Sequence, residues 1–177
     1  MGRKIILRPL AEIDSHILEM LKQALEQTFD CPVGIKAQIG SLDYAYVPNR
    51  EQYLAPRLLS TLRGFQMEPG DKCLGIVDVD LYALGLNFVF GEADIGSGVA
   101  IVSLYRLRQE CYGLPQDEQV FRDRAIKEAV HELGHTYYLN HCQDVRCVMH
   151  FSNSLADTDI KGTSFCSKCQ QKLKEVI

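Results

Sequence analysis

The chain has 177 residues, of which 46 % are hydrophobic, and its formal net charge at pH 7 is −4. This composition fits one globular domain with its own core, and it excludes the strongly basic surface typical of nucleic-acid-binding proteins. No apolar run approaches the ~18 residues of a membrane span, and the basic start Met1–Arg8 lacks the apolar run of a signal peptide. We therefore expect a cytosolic protein that binds neither membranes nor nucleic acid.

Hydrophobic periodicity predicts alternating strands and helices from Lys4 as far as Leu139. Apolar positions three or four residues apart indicate helices, alternation with period two indicates strands, and a continuous apolar run indicates a central strand. In chain order the predicted elements are a strand at Lys4–Leu10, a helix at Ile13–Phe29, a strand at Val33–Ile39, a helix at Asn49–Leu62, a central strand at Cys73–Leu81, an edge strand at Phe88–Phe90, a strand at Gly98–Leu107 and a helix at Pro115–Leu139.

Two helix beginnings have local signals. Asp14 or Ser15 can cap the first helix, because short polar side chains accept hydrogen bonds from the free N–H groups of a first turn. Pro56 must lie in the first turn of the second helix or kink it, since proline has no N–H to donate.

The alternation of strands and helices predicts an α/β or α+β layer structure. We expect a single domain over residues 1–177, with an upper α/β part over 1–141 and a C-terminal part over 142–177. The long helix, expected over residues 117–139, lies in the upper part. The C-terminal part is poor in apolar residues and rich in Ser, Asn, Asp and Cys, so something other than a hydrophobic core must hold it.

The long helix carries an HExxH motif, from His131 to His135. At about 100° per residue, the two histidines lie about 40° apart and one turn apart in height, so both imidazoles can bind one ion. Glu132 lies about 60° from His135 and shares that face, where it can take a proton without being a ligand. Two histidine ligands with a neighbouring glutamate base are what zinc-assisted hydrolysis requires.

A third histidine, His141, follows six residues after His135. On an unbroken helix it would stand about 15 Å from His131, whereas two nitrogens on one zinc lie within about 4 Å of each other. The helix must therefore end between His135 and His141. Three histidines with one open position are typical of a catalytic zinc, and they disfavour the alternative of a helix with surface histidines. We call His131, His135 and His141 the three-histidine centre.

Four of the seven cysteines form two close pairs near the C-terminus. The pairs have the forms C-x4-C and C-x2-C and are separated by a loop, which is the spacing of a structural zinc site. Redox-active or free thiols are the alternatives, but no strand precedes the second pair as it does in redox motifs. We call these residues the four-cysteine cluster: Cys142, Cys147, Cys166 and Cys169.

The other cysteines and histidines fit ordinary roles. Cys31, Cys73 and Cys111 are scattered, and we expect small buried side chains there. We expect His16, in an amphipathic helix, to be a surface residue, and His150 to have a local structural role.

Taken together, HExxHxxxxxHC-x4-C-x-M followed by CxxC closely resembles the archaemetzincin family of zinc metalloproteases, over about a fifth of the chain, His131–Cys169. The resemblance implies a metzincin-like fold: a twisted mixed sheet, an active-site helix, a small zinc-stabilised C-terminal segment and an edge strand that pairs with an extended substrate. Phe88–Ala93 is the candidate for that edge. The resemblance also implies two zinc ions, a catalytic one on the three-histidine centre and a structural one on the four-cysteine cluster. It makes Glu132 the general base and Met149 the Met-turn residue beneath the catalytic metal.

One position departs from the family pattern. The family has glycine three residues after the second histidine, where this chain has Tyr138. If the same turn is kept at positive φ, tyrosine is strained by about 1–3 kcal/mol. Alternatively Asn140 takes over the turn, or His141 sits differently and the catalytic zinc is weaker. The interval between Met149 and Cys166 is one residue shorter than the pattern, which we interpret as loop variation.

The function that follows is a monomeric zinc-dependent peptidase acting on peptide or protein substrates. In this hypothesis a metal-activated water attacks the peptide bond, and Glu132 takes its proton and passes it to the leaving amine. The first alternative is a peptide-binding protein of the same fold that retains only the structural zinc. The second is a zinc-ribbon-like interaction domain built on the four-cysteine cluster, against which stands the absence of a basic run in residues 142–177.

Overall fold

The computed structural model describes residues 3–177, so Met1 and Gly2, the first residues of the basic start, lie outside the described part. Its strands are β1 (Ile5–Pro9), β2 (Val33–Ile35), β3 (Tyr46–Val47), β4 (Gln52–Leu54), β5 (Lys72–Val77), β6 (Leu81–Tyr82), β7 (Gly91–Asp94) and β8 (Val99–Ser103). Its α-helices are α1 (Ser15–Phe29), α2 (Ala55–Arg63), α3 (Glu118–Thr136), α4 (Leu155–Ile160) and α5 (Ser167–Val176).

Five strands form the main sheet in the order β2-β1-β5-β8-β7. The first four are parallel, and β7 runs antiparallel to β8 at the edge of the sheet. The tight connection between β7 and β8 permits this reversal, since Gly98 has φ +70° and its N–H donates to the Asp94 carbonyl at 3.1 Å. A second, smaller sheet has the order β3-β4-β6.

The main sheet is covered on both faces, as its nearly continuous apolar strands require. In β5, Leu74 and Ile76 point into a core formed with α1 and α3. Cys73 and Val77 point the other way, into a core formed with α2. The mixed α/β fold class predicted from the alternation of elements is therefore confirmed.

The caps agree with the sequence signals. The Asp14 side chain caps α1 by accepting a hydrogen bond from the His16 N–H at 2.8 Å, and α1 ends at Phe29 as predicted. Pro56 lies in the first turn of α2. The cap of α3 was not predicted: Asp117 accepts from the Val120 N–H at 3.0 Å, and the helix begins at Glu118 rather than Pro115.

Several predicted bounds were wrong. The helix expected over Asn49–Leu62 begins only at Ala55, because Gln52–Leu54 form β4, which pairs with β3 and β6. The strand expected over Val33–Ile39 ends at Ile35. The central strand ends at Val77 rather than Leu81, where the chain leaves the main sheet.

The polar residues after β5 explain why that strand ends early. Asp78 pairs with Arg108, and Asp80 binds Arg106 through two contacts of 2.6 Å. Charged side chains held in this way are directed to the end of the sheet rather than into either core.

The edge strand lies three residues later than the predicted Phe88–Phe90. That segment is tied to β6 instead, since the Val89 N–H donates to the Leu81 carbonyl at 2.9 Å. The edge observed, β7, overlaps the substrate-pairing candidate Phe88–Ala93 at its C-terminal half. No helix in the described part of the chain is long and apolar enough to cross a membrane.

Candidate metal centres

The active-site helix ends between His135 and His141, as the ligand distances require, but three residues before the predicted bound Leu139. Its last residue is Thr136, and the N–H groups of Tyr137 and Leu139 both donate to the Gly134 carbonyl, at 3.1 and 3.2 Å. Tyr138 has φ +62°, so the left-handed turn of the family is kept with tyrosine in place of glycine. Asn140 does not adopt positive φ, so it does not take over the turn.

This turn brings His141 back to the helix. The ligand atoms of His131, His135 and His141 all lie within 4.8 Å of one another. The ring centroids of His131 and His141 are 5.3 Å apart, and those of His135 and His141 are 4.9 Å apart. The strained Tyr138 therefore does not prevent the third histidine from joining the other two.

Backbone carbonyls fix the orientation of two of these rings. Nδ1 of His131 lies 2.8 Å from the Val148 carbonyl, and Nδ1 of His135 lies 2.7 Å from the Leu139 carbonyl, so each Nδ1 carries the proton and donates. The two Nε2 atoms, left unprotonated, face each other at 3.1 Å. Two lone pairs this close repel each other unless a cation lies between them, so the three-histidine centre fits a zinc ion.

The electrostatics of the centre favour neutral imidazoles, which is the form that binds metals. Burial lowers the pKa of His131 well below its ordinary value, and the nearby Lys161 charge lowers it further. Burial also lowers the pKa values of His135 and His141.

Glu132 is buried beside the three-histidine centre, and burial raises its pKa well above the ordinary value, with the Glu128 charge adding to the effect.

The edge strand lies directly against Glu132. A Cβ atom at Gly91 would lie 2.5 Å from Cγ of Glu132 and 2.6 Å from the Ile101 carbonyl oxygen. Only glycine fits at position 91, a constraint for which the sequence alone gives no signal because the two residues in contact lie in distant parts of the chain.

A cleft of about 370 Å³ opens in front of the centre. Its walls on the edge-strand side are apolar except for Glu92, and the three histidines and Glu132 form its polar end. The apolar lining residues include Leu86, Phe88, Phe90, Ile95 and Phe151. A cleft with an apolar wall and a polar end fits a peptide whose apolar side chains are buried against the wall while one of its peptide bonds lies next to the polar groups.

Met149, the expected Met-turn residue, is fully buried. It packs against Gly134, where any side chain would overlap the methionine sulfur. The Met149 carbonyl accepts from the Cys142 N–H at 2.9 Å, which ties the segment beneath the helix to the residue that follows His141.

A buried ion pair behind His131 was not found by sequence reasoning. Lys161 is 1 % exposed and Glu128 2 % exposed, and Nζ of Lys161 lies 2.9 Å from Oε1 of Glu128. The same ammonium lies 3.5 Å from Nδ1 of His131, and Thr158 donates to Oε1 of Glu128 at 3.2 Å. Glu128 precedes His131 by one helical turn, but nothing local identifies Lys161, which follows another helix, as its partner.

The four sulfur atoms of the four-cysteine cluster also lie within 4.8 Å of one another. Sγ of Cys142 is 3.7 Å from Sγ of Cys166, and the Cys166 N–H donates to Sγ of Cys147 at 3.3 Å. Cys166 stands at the N-terminus of α5, where a hydrogen bond from the Cys169 backbone lowers its pKa to about 7. Four thiols around one point fit a zinc ion with no open position.

The remaining cysteines and histidines are partly as expected. His16 is exposed, and Nδ1 of His150 contacts the Cys142 carbonyl at 2.9 Å, which is a local structural role. Cys73 is buried as predicted, but Cys31 is only half-buried and Cys111 is exposed, so the expectation of burial was wrong for Cys111.

Comparisons with known proteins find relatives along almost the whole chain. A family model described as peptidase family M54 matches residues 6–175. An archaemetzincin of Pyrococcus furiosus is 44 % identical over 178 residues, covering 97 % of this chain and 92 % of that protein. An archaemetzincin of Methanocaldococcus jannaschii is 42 % identical over 173 residues, covering 97 % of this chain and 93 % of that protein.

Two solved structures are similar along almost their whole length. An archaemetzincin from Archaeoglobus fulgidus, complexed with malonate, has a TM-score of 0.81 and 38 % identity, covering 96 % of this chain and 99 % of that one. A zinc-dependent peptidase from Methanocorpusculum labreanum has a TM-score of 0.87 and 30 % identity, with the same coverage of 96 % and 99 %.

Proposed function

This chain belongs to peptidase family M54, the archaemetzincins, and is a zinc-dependent peptidase, and we propose that the three-histidine centre holds its catalytic zinc with Glu132 as the base. One observation carries the proposal. The unprotonated Nε2 atoms of His131 and His135 face each other at 3.1 Å, and His141 closes the same point from beyond the turn. This arrangement leaves a fourth position open toward the cleft.

Zinc bound there supplies a Lewis acid, which lowers the pKa of a water molecule to about 7 and polarises a carbonyl group. Residues of the protein orient the ligands and transfer the proton. The Val148 and Leu139 carbonyls hold the two helix imidazoles in the ligand tautomer. Glu132, buried against Gly91, takes the proton of the attacking water and gives it to the leaving amine.

The substrate, a peptide or protein, would bind along the edge strand β7. An extended peptide paired with this edge gains main-chain hydrogen bonds, and the contact between Gly91 and Glu132 would bring a peptide bond next to the base. The apolar wall of the cleft favours large apolar side chains on the substrate residues that face α3.

A second zinc in the four-cysteine cluster would be structural, so we propose two zinc ions per chain. Four thiolates saturate a tetrahedral ion, which leaves no position for a substrate. Residues 142–177 bury few apolar side chains, and a metal would supply the missing stabilisation. Cys142 directly follows His141, so an ion bound to Cys142 would also hold His141 in place. The two centres would thus act within a single domain.

The further expectations of a monomer in the cytosol, without nucleic-acid or membrane partners, stay predictions. The alternative of a peptide-binding protein without catalytic zinc rests on Tyr138, and it is not favoured, because the histidines converge although the strained turn is kept. Replacing Glu132→Ala tests the proposal. The variant should retain its zinc and lose hydrolysis of peptides by more than about 100-fold, and undiminished hydrolysis would refute the role of Glu132.

A further inference from the structure

Glu92 follows Gly91 on β7, and its side chain lies on the opposite face of the main sheet from Glu132. It pairs with Ile101 of β8, whose side chain belongs to the core formed with α2. Glu92 lines a groove of about 370 Å³ on this face, beside the apolar residues Pro56 and Leu59 of α2, and it also borders the cleft with the three-histidine centre. The edge strand therefore lies between these two cavities, and Glu92 contributes to the lining of both.

The Glu92 carboxylate has no partner within residues 3–177. Its Oε2 atom is inaccessible to solvent and makes no hydrogen bond, and the side chain forms no ion pair. Arg63, whose charge lowers the pKa of Glu92, forms its ion pair with Asp94. One guanidinium therefore stands beside two carboxylates, and the groove carries an excess of negative charge. Burial raises the pKa of Glu92, as expected for a carboxylate left unpaired.

The hydrogen bonds of β7 define which residues face the open edge. The Ser103 N–H donates to the Phe90 carbonyl at 2.8 Å. In an antiparallel pair the bonded positions alternate, so Phe90, Glu92 and Asp94 direct their backbone groups to β8. Gly91 and Ala93 direct theirs outward, where a substrate strand can bond to them.

A substrate residue opposite Glu92 would have its side chain on the same face of the sheet, with the two Cβ atoms about 4.5–5.5 Å apart. That side chain would enter the groove beside α2, while its neighbours on the substrate would point toward the cleft. A lysine or arginine there can pack its stem on Pro56 and Leu59 and bring its charge to the carboxylate.

We propose that Glu92 is a specificity-determining residue, which selects a lysine or arginine side chain on the substrate residue paired opposite it. This inference rests on the proposed function, because it requires a peptide to bind along β7. It assigns the groove beside α2 as the binding site for that side chain.

The test uses peptides blocked by acetylation and amidation that carry Lys, Arg, Leu or Glu at each position in turn. With the zinc-loaded protein, kcat/KM should be about tenfold higher for Lys or Arg than for Leu at one subsite, equivalent to about 1.4 kcal/mol. Glu92→Gln should reduce this ratio to near one, and Glu92→Lys should make Glu the preferred residue at that subsite. Glu19→Gln, an exposed residue of α1, is the matched control and should keep the wild-type ratio.

Equal cleavage of all peptides by the wild type, or a preference that survives Glu92→Lys, overturns the proposal. A preference seen only with free amino ends also overturns it, because the recognised cation is then a terminal ammonium. The same peptides are titrated against the Glu132→Ala protein by fluorescence anisotropy. If the wild type cleaves nothing, the proposed function fails. The binding titration still decides the role of Glu92: Lys peptides should bind the Glu132→Ala protein about tenfold more tightly than Leu peptides, and the Glu92→Gln/Glu132→Ala protein should lose this difference.

Discussion

Gly91 on the edge strand lies directly against Glu132 on the active-site helix, with room for no Cβ between them. Gly91→Ala should therefore push the base out of position, and a displacement of about 1 Å reduces kcat by about 100-fold. Peptide hydrolysis with measured zinc content separates this effect from metal loss. Gly34→Ala is the control, because a Cβ at Gly34 meets nothing within 4 Å and should leave kcat unchanged. Wild-type activity in the Gly91→Ala protein would contradict the contact.

Tyr138 is strained by its position in the left-handed region. Its φ is +62°, its side chain is 64 % exposed, and its ring lies 6.0 Å from the Lys72 ammonium, which offers little compensation. Tyr138→Gly should raise the free energy of unfolding by about 1 kcal/mol, because glycine adopts this conformation without strain. Denaturant unfolding measures this free energy for both proteins. Asn140→Gly should not stabilise the protein, and the opposite ranking of the two variants would show that the turn lies at Asn140.

Removing one partner of the ion pair behind His131 should destabilise the protein much more than replacing both partners. Lys161→Met leaves the buried Glu128 carboxylate without its cation and should reduce the free energy of unfolding by about 3–5 kcal/mol. The double variant Lys161→Met/Glu128→Leu should recover most of this loss, since two apolar side chains can replace a buried pair.

An exposed pair provides the control for that double-mutant cycle. Arg122 and Glu118 are about half exposed, and their N···O distance is 3.1 Å. Arg122→Met should change the free energy of unfolding by at most about 0.5 kcal/mol. If Lys161→Met destabilises no more than Arg122→Met, the buried pair does not hold the segment behind His131.

The four-cysteine cluster predicts a local effect of thiol removal. Cys169→Ser should release one zinc and make residues 142–177 sensitive to limited proteolysis, because that segment has little apolar core of its own. Cys111→Ser, at an exposed cysteine outside the cluster, should change neither property. An unchanged zinc content in the Cys169→Ser protein would exclude this cluster as a metal site.

Sequence reasoning predicted the parts of this structure that local rules determine. Ligand chemistry requires His131, His135 and His141 to meet, so their spacing predicted a helix end that the structure contains. The cap at Asp14, one of two residues predicted for it, and the apolar run of β5 could be predicted because each has a signal in its own neighbouring residues.

The rest depends on contacts between distant residues. Helices α4 and α5 were not predicted, because the segment that contains them is short of the apolar periodicity by which helices are recognised. Lys161 has no local signal for burial, since its partner Glu128 lies in another element. The requirement for glycine at Gly91 arises only when β7 meets α3.

The zinc content per chain, measured on protein purified without added metal before and after a mild chelator, decides whether the three-histidine centre binds a catalytic metal. We predict two zinc ions, of which one leaves readily and takes the peptidase activity with it, while the other resists the chelator. His135→Ala should remove only the labile ion. A single chelator-resistant zinc in the wild type would contradict this prediction, because the three-histidine centre would then hold no catalytic metal.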